Sequence, residues 1–186
     1  MSVAGLFLTH GAGSDSGHSS LVKIEERLAP MPVVRHDFPY RQAGRKFPDR
    51  SEKLLESLAE SVPEFAESAE ISPTGVVLGG RSMGGRMCSI AVAEGMPAAG
   101  LILLCYPLHP PGKPENLRVS HFPQISVPCL FISGDKDPFG SPKEFAEYLP
   151  LISGPVTTSW LSGKRHDLRG ADDLIADLVI DWLSLL

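Results

Sequence analysis

The stretch Val76-Val77-Leu78-Gly79-Gly80-Arg81-Ser82-Met83-Gly84-Gly85 is an apolar run that ends in Gly-x-Ser-x-Gly and opens into a helical pattern. A serine between a strand and a helix in this way is typical of a nucleophile elbow, which exposes the hydroxyl above a sheet. Glycines flank the serine because a Cβ there would clash with the neighbouring strand and helix. The stretch therefore predicts that Ser82 is a nucleophile. It also predicts that an acid and then a histidine follow it along the chain.

Short apolar runs alternate with helical patterns along the whole chain, which predicts a parallel sheet covered by helices on both faces. Six runs are strand candidates: residues 5–9, 32–37, 75–79, 101–105, 128–133 and 156–161. Helices are predicted over residues 21–28, 83–94, 141–149 and 172–186, and over a segment that begins with Asp49 or Ser51 as its cap. Pro63 is expected to end or kink that last helix, with residues 64–69 as a candidate continuation, and residues 41–50 before it are interpreted as a loop.

The 186 residues are enough for one domain with a substantial core, so residues 1–186 are expected to form a single domain. A net charge of −5 argues against a nucleic-acid partner, because such domains usually carry a basic stripe. No apolar run reaches the roughly 20 residues of a membrane span, so no membrane partner is expected. The oligomeric state is left open.

The three cysteines, Cys88, Cys105 and Cys129, each lie inside an apolar segment. Their spacing fits neither a redox pair nor a zinc site, so we interpret them as reduced core residues. The N-terminal residues carry no basic segment of a signal peptide and lead directly into the first strand. Together these features predict a cytoplasmic protein.

Polar side chains that could act with Ser82 follow two later strands, where parallel sheets place their reactive groups. His166 follows the sixth strand and is predicted to be the base that takes the proton of the serine hydroxyl. Asp135 and Asp137 both follow the fifth strand. Asp137 is favoured as the acid behind the histidine, because a residue slightly beyond the strand can turn toward the histidine loop. Asp135 remains the alternative.

The oxyanion of the tetrahedral intermediate needs two donors. One is predicted to be the backbone N–H of Met83, the residue after the nucleophile, and the other the N–H of Ala12 in the loop after the first strand. His10, just before that loop, is interpreted as a hydrogen-bonding residue that shapes it and borders the substrate.

Basic residues are expected to border the same edge of the sheet. Arg81 occupies the variable position before Ser82, and Arg45 lies on the loop after the second strand. We expect them to attract an anionic ester, lactone or thioester. The alternative is that both are ordinary solvated surface charges.

The chain resembles the α/β-hydrolase superfamily, in particular its small lidless members related to dienelactone hydrolase and to testis-expressed protein 30 and NSL-complex subunit 3. Three segments carry the closer resemblance: Leu8-Thr9-His10-Gly11-Ala12-Gly13, Tyr106-Pro107-Leu108-His109-Pro110-Pro111-Gly112-Lys113-Pro114 and Gly134-Asp135-Lys136-Asp137-Pro138-Phe139-Gly140. The resemblance implies a three-layer αβα sandwich without a lid, with a mostly parallel sheet of about six strands. It maps Ser82, Asp137 and His166 onto a catalytic triad, and Ala12 and Met83 onto the oxyanion hole.

Two classes of function follow from these observations. The first is a serine hydrolase that cleaves small accessible esters, lactones or thioesters through an acyl-enzyme intermediate. The second is a binding or scaffold module that has kept the fold without turnover. No cofactor or metal is expected, because the sequence has no His-x-x-x-His pattern or carboxylate cluster.

Overall fold

The computed structural model describes residues 3–186, which form a six-stranded sheet in which every neighbouring pair of strands is parallel. The strands are Gly5–Thr9 (β1), Val33–His36 (β2), Val76–Arg81 (β3), Gly100–Leu104 (β4), Cys129–Gly134 (β5) and Val156–Leu161 (β6). Their order across the sheet is β2-β1-β3-β4-β5-β6. The predicted three-layer α/β fold is confirmed.

Six helices connect or flank the strands: Ser19–Leu28 (α1), Pro39–Gln42 (α2), Ser51–Ser68 (α3), Met83–Ala93 (α4), Pro142–Tyr148 (α5) and Asp172–Leu183 (α6). Within residues 3–186 none of these helices is both long and apolar enough to cross a membrane. The long connection between β4 and β5 contains only one short 3₁₀ turn, Phe122–Gln124.

The core lies on both faces of the sheet, because successive residues of each strand point to opposite sides. Leu78 and Leu103 pack with α3 and α4 on one face. Val77 and Ile102, their neighbours along the strands, pack with α1 and α6 on the other face. Burial on both faces explains why the central strands read as continuous apolar runs rather than as alternating patterns.

Helix α3 takes the continuation past Pro63 that the sequence left open, and it differs from the prediction at its N-cap. It continues through Pro63 to Ser68, because Val62 and Ala66 are buried on either side of the proline and hold both halves against the core. Its N-cap residue is Arg50, which makes no capping hydrogen bond with its side chain, so neither Asp49 nor Ser51 is the cap.

The segment predicted as a loop over residues 41–50 also differs, since its first residues belong to the short helix α2. Pro39 starts this helix at a position where its missing N–H costs no hydrogen bond. Asp49 at the end of the segment is held by Arg45 rather than by the backbone of α3. That ion pair explains why Asp49 does not cap the helix.

Two half-buried histidines contact serines of α3 and α4. His36 Nε2 lies 2.9 Å from Ser57 Oγ, and His121 Nε2 lies 2.8 Å from Ser89 Oγ. Burial lowers the pKa of both imidazoles to about 4. Both rings are therefore neutral in the folded protein near neutral pH.

The two histidines make stability depend on pH in a defined direction. Between their unfolded pKa of about 6.5 and their folded pKa of about 4, the unfolded chain binds protons that the folded chain excludes. The free energy of unfolding should therefore fall as pH decreases through this window, with no contribution above it. Urea midpoints measured at about pH 7 and about pH 5 should differ less in a His36→Gln, His121→Gln double variant than in the wild type. An unchanged difference would contradict the assignment.

The central strands should carry much of the stability. Leu103 on β4 is fully buried, whereas Leu174 on α6 is 49% exposed. Leu103→Ala should lower the free energy of unfolding by about 2–5 kcal/mol, because it leaves a cavity in the core. The matched Leu174→Ala should change it by no more than about 0.5 kcal/mol. Denaturant unfolding of both variants checks the difference, and equal effects would contradict the described core.

Candidate active site

Ser82 lies at the sharp turn between β3 and α4, with φ 47° and ψ −114°. A non-glycine residue rarely adopts such a conformation, and it persists only where the surroundings impose it. A Cβ on Gly80 would lie 2.2 Å from the carbonyl oxygen of Thr9, and one on Gly84 would lie 2.4 Å from Thr9 Oγ1. The two glycines are therefore required by the close approach of β1, which forces the turn and exposes the serine.

The structure brings Ser82, His166 and Asp137 into one hydrogen-bond network. His166 Nδ1 lies 2.8 Å from Asp137 Oδ2, and His166 Nε2 lies 2.9 Å from Ser82 Oγ. Because a carboxylate only accepts hydrogen bonds, Nδ1 carries a ring proton, and the opposite nitrogen, Nε2, faces the serine hydroxyl. The Asp137 side chain is 2% exposed and that of His166 is 24% exposed. The acid is thus shielded from water, whereas the base can reach a bound molecule.

Asp135 has a different partner. Its Oδ1 accepts a hydrogen bond of 2.7 Å from the backbone N–H of Gly163, at the start of the loop that carries His166. Of the two aspartates left open by the sequence, Asp137 is the one that contacts the imidazole. Asp135 instead fastens the histidine loop to the end of β5.

Phe139 supports this hydrogen-bond network, although its role was not predicted from the sequence. Its ring stacks on the imidazole of His166 with 4.0 Å between centroids and 26° between planes. Its backbone N–H donates to Asp137 Oδ1 at 2.9 Å, so one residue restrains both the acid and the base. The only signal in the sequence is an aromatic residue two positions after the aspartate, which does not by itself predict stacking.

The loop after β1 places Ala12 on the wall of the cavity that Ser82 also lines. The Gly11 carbonyl accepts hydrogen bonds from His10 Nδ1 at 2.8 Å and from the Ser14 amide at 3.1 Å. In a trans peptide the N–H points opposite to the carbonyl, so these contacts fix the direction of the Ala12 N–H. That N–H has no acceptor within residues 3–186. Met83 begins α4, so its amide also has no acceptor inside the helix.

Two side chains buried beneath this loop determine its shape. His10 is fully buried, and its Nε2 accepts the backbone N–H of Phe38 at 3.2 Å. Burial lowers the pKa of His10, which agrees with a neutral ring that accepts at Nε2. Asp37 Oδ1, 3.6 Å away, could pair only with a protonated ring. The Tyr40 hydroxyl donates to the Ala12 carbonyl at 3.0 Å. His10 therefore shapes the loop and does not line the cavity.

The two arginines predicted to border the site are in different places. Arg81 borders the cavity, but it is only 5% exposed and its Nη2 donates to the backbone carbonyls of His166 and Asp167. Arg45 is exposed, binds both carboxylate oxygens of Asp49 and is not a lining residue. These two residues do not form the expected positive border together.

An open cavity of about 390 Å³ surrounds the serine and the imidazole. Its walls are formed by Gly11, Ala12, Gly13, Ser14, His18, Arg81, Ser82, Phe139, His166 and Asp167. A larger apolar groove of about 690 Å³ lies between α3 and the end of α4. We place the candidate site in the smaller cavity, because Ala12, Ser82 and His166 line it and none of them lines the groove.

One group of side chains has the donor atoms of a metal site. The Cys105 thiol, an Asp137 carboxylate oxygen and a ring nitrogen of His166 lie within 4.8 Å of one another. Burial raises the pKa of the thiol to about 12, so the sulfur stays protonated and is a poor ligand. Asp137 and His166 already bind each other. These contacts favour a buried hydrogen-bonded group over a metal site.

The hydrogen bond between His166 Nδ1 and Asp137 can be observed directly. We expect a strongly deshielded imidazole N–H signal in the proton NMR spectrum of the folded protein. Asp137→Asn should remove or greatly shift this signal, because the ring loses its carboxylate acceptor. Asp135→Asn, the matched control two residues away, should retain it. A signal that depends on Asp135 would contradict the geometry.

Comparisons with solved structures agree with the fold. A protein described as an alpha-beta serine hydrolase homologue from Coxiella burnetii superposes with a TM-score of 0.78 at 17% identity, covering 98% of this chain and 86% of that one. Est1E from Butyrivibrio proteoclasticus with bound ferulic acid gives 0.79 at 17%, with 99% and 89% covered. The RedJ thioesterase of the prodiginine biosynthetic pathway in Streptomyces coelicolor gives 0.70 at 20%, with 95% and 89% covered.

At these identities the structural likeness shows the fold alone. A family model adds evidence from the sequence itself: the model described as an alpha/beta hydrolase domain matches residues 2–174. The match includes Ser82, Asp137 and His166 and covers nearly the whole chain. The protein therefore belongs to the alpha/beta hydrolase domain family.

Proposed function

We propose that this protein is a serine hydrolase that cleaves small accessible esters, lactones or thioesters through an acyl-enzyme intermediate. The observation that carries the proposal is the hydrogen-bond network that links Ser82 Oγ through His166 to Asp137, with Ser82 and His166 facing an open cavity. A scaffold protein that only binds partners does not require this hydrogen-bond network. Family membership supports hydrolysis, and the network supports Ser82 as the nucleophile.

In the first half of the reaction, Ser82 Oγ attacks the carbonyl carbon of the substrate while His166 Nε2 takes the hydroxyl proton. Asp137 stabilises the imidazolium that forms and keeps the ring in the correct tautomer. The imidazolium then gives its proton to the departing alcohol or thiol, which leaves an ester between the acyl group and Ser82. Water activated by the same imidazole hydrolyses that ester in the second half and restores the serine.

Negative charge develops on the carbonyl oxygen in both halves. The N–H groups of Ala12 and Met83 are the proposed donors to this oxygen. The direction of the Ala12 amide is fixed before the substrate arrives, through the hydrogen bonds of Gly11 with His10 and Ser14. Donors oriented in advance need no reorganisation as the charge appears, which is the main source of their catalytic effect.

The cavity supports small substrates. Its volume of about 390 Å³ lies near the lower end of the usual range for ligand sites, roughly 300–1,000 Å³. Glycines and short side chains of the β1 loop form one wall, and Phe139 forms an apolar wall beside His166. The connection between β4 and β5 carries no covering helical domain among the described residues. An ester or thioester with one short group fits such an open site without a rearrangement, and no cofactor is needed.

Labelling with a fluorophosphonate tests the proposal, because this probe reacts with serines that are activated by a neighbouring base. The wild type should be labelled at Ser82, as mapped by mass spectrometry, and Ser82→Ala should not be labelled. His166→Ala should reduce labelling strongly, since the hydroxyl loses its proton acceptor.

Ser89 provides the matched control, because its Oγ also contacts a histidine, His121, at 2.8 Å. That serine is fully buried. Ser89→Ala should therefore leave Ser82 labelling in place. Folded wild-type protein that is not labelled would contradict the proposal and would favour a binding module without turnover.

A further inference from the structure

We propose that Arg81 is a positioning residue that holds the His166 loop in register with the nucleophile. The inference rests on the proposed function, since it concerns how His166 is aligned with Ser82. Arg81 is the last residue of β3 and directly precedes the serine. Its Nη2 donates to the carbonyl oxygens of His166 at 3.0 Å and of Asp167 at 3.3 Å. One side chain thus connects the strand of the nucleophile to the backbone of the base.

The electrostatics of Arg81 explain why this contact restrains the loop. Among residues 3–186 no carboxylate lies within 4.0 Å of the guanidinium, and its Nη1 is buried without an acceptor. The adjacent thiol of Cys105 is protonated and offers no compensating charge. The two loop carbonyls are therefore the acceptors that satisfy a buried cation. If the loop moved away, the charge would lose them, which is a costly arrangement in a buried site.

The other contacts of the loop do not hold the backbone at His166, because Phe139 and Asp137 contact only its ring. Asp135 holds Gly163, and the Lys136 amide donates to the carbonyl of Lys164 at 2.9 Å. Both contacts come from the end of β5 and hold the first residues of the loop. Leu168 is buried on its far side. Arg81 binds the carbonyl groups of residues 166 and 167, which lie between these two anchored parts of the loop. It reaches them from β3, which β4 and β5 separate from β6 in the sheet.

This position requires an arginine for reasons of length and shape. The side chain spans from β3 to the histidine loop, and its Nη2 carries two N–H groups, one for each carbonyl. Lysine has the charge, but its side chain is one bond shorter, and methionine has neither the charge nor a donor. Reaction rates are sensitive to small errors of alignment between nucleophile and base, so a loosened loop should affect the chemical step more than substrate binding.

The test compares Arg81→Met and Arg81→Lys with a control, Arg27→Met, in which an exposed arginine of α1 paired with Asp177 is replaced. Arg81→Met should lower kcat on a short ester by about 10- to 100-fold with little change in KM. Arg81→Lys should recover part of the loss, and Arg27→Met should resemble the wild type. An increase in KM with unchanged kcat would overturn the proposal, because it would indicate a substrate contact.

A second measurement separates positioning from general damage to the fold. Millimolar guanidinium should restore part of the activity of Arg81→Ala by occupying the space of the missing group, and it should have no such effect on wild type. Hydrogen exchange of the amides at residues 165–169 should be faster in Arg81→Met, while exchange in β3 and β4 stays slow.

The exchange measurement also distinguishes the two proposals. If the wild type neither turns over esters nor reacts with fluorophosphonate, the proposed function fails, but faster exchange in Arg81→Met would still show that Arg81 holds the loop. If the wild type is active and Arg81→Met matches it in kcat and in exchange, Arg81 has no positioning role.

Discussion

The conformation of Ser82 is the constraint on which the rest of the site depends. A serine at φ 47° is held there because β1, β3 and α4 approach so closely that only glycine fits at positions 80 and 84. The same approach brings the loop after β1 to the cavity that Ser82 lines. One packing requirement thus positions both Ser82 and the loop that carries Ala12, and it comes from the central strands of the sheet.

The acid and the base reach the serine from the other half of the sheet, on loops that have no regular structure of their own. Such loops are normally mobile, and a catalytic geometry needs them to be restrained. Here the restraint comes from contacts of several kinds: a stacked ring from Phe139, a carboxylate from Asp135 and a buried guanidinium from Arg81. His10 does the same for the loop after β1. The groups that orient these residues come from three separate segments: the loop after β1, the end of β3 and the turn after β5.

The sequence was sufficient to predict the layered fold and the order of serine, aspartate and histidine, because both depend on local patterns. Strand and helix signals are read within a few residues, and polar residues after parallel strands meet at one edge of the sheet. The choice between Asp135 and Asp137 needed coordinates, since it depends on which way each side chain leaves a tight turn. The same holds for Arg81, which the sequence places at the border of the site but whose burial and contacts with the histidine loop only the structure shows. The sequence left open whether α3 ends at Pro63 or continues past it, and packing of the residues on both sides of the proline favours continuation.

The central claim is that Ser82 forms a covalent acyl intermediate with the help of His166. Intact-mass spectrometry of the protein, quenched within seconds of mixing with a short activated ester, tests it most directly. The account predicts a transient mass increase equal to one acyl group, located on Ser82 by peptide mapping, that decays as the intermediate is hydrolysed. Hydrolysis of the ester by folded protein without acylation of Ser82 would contradict the account.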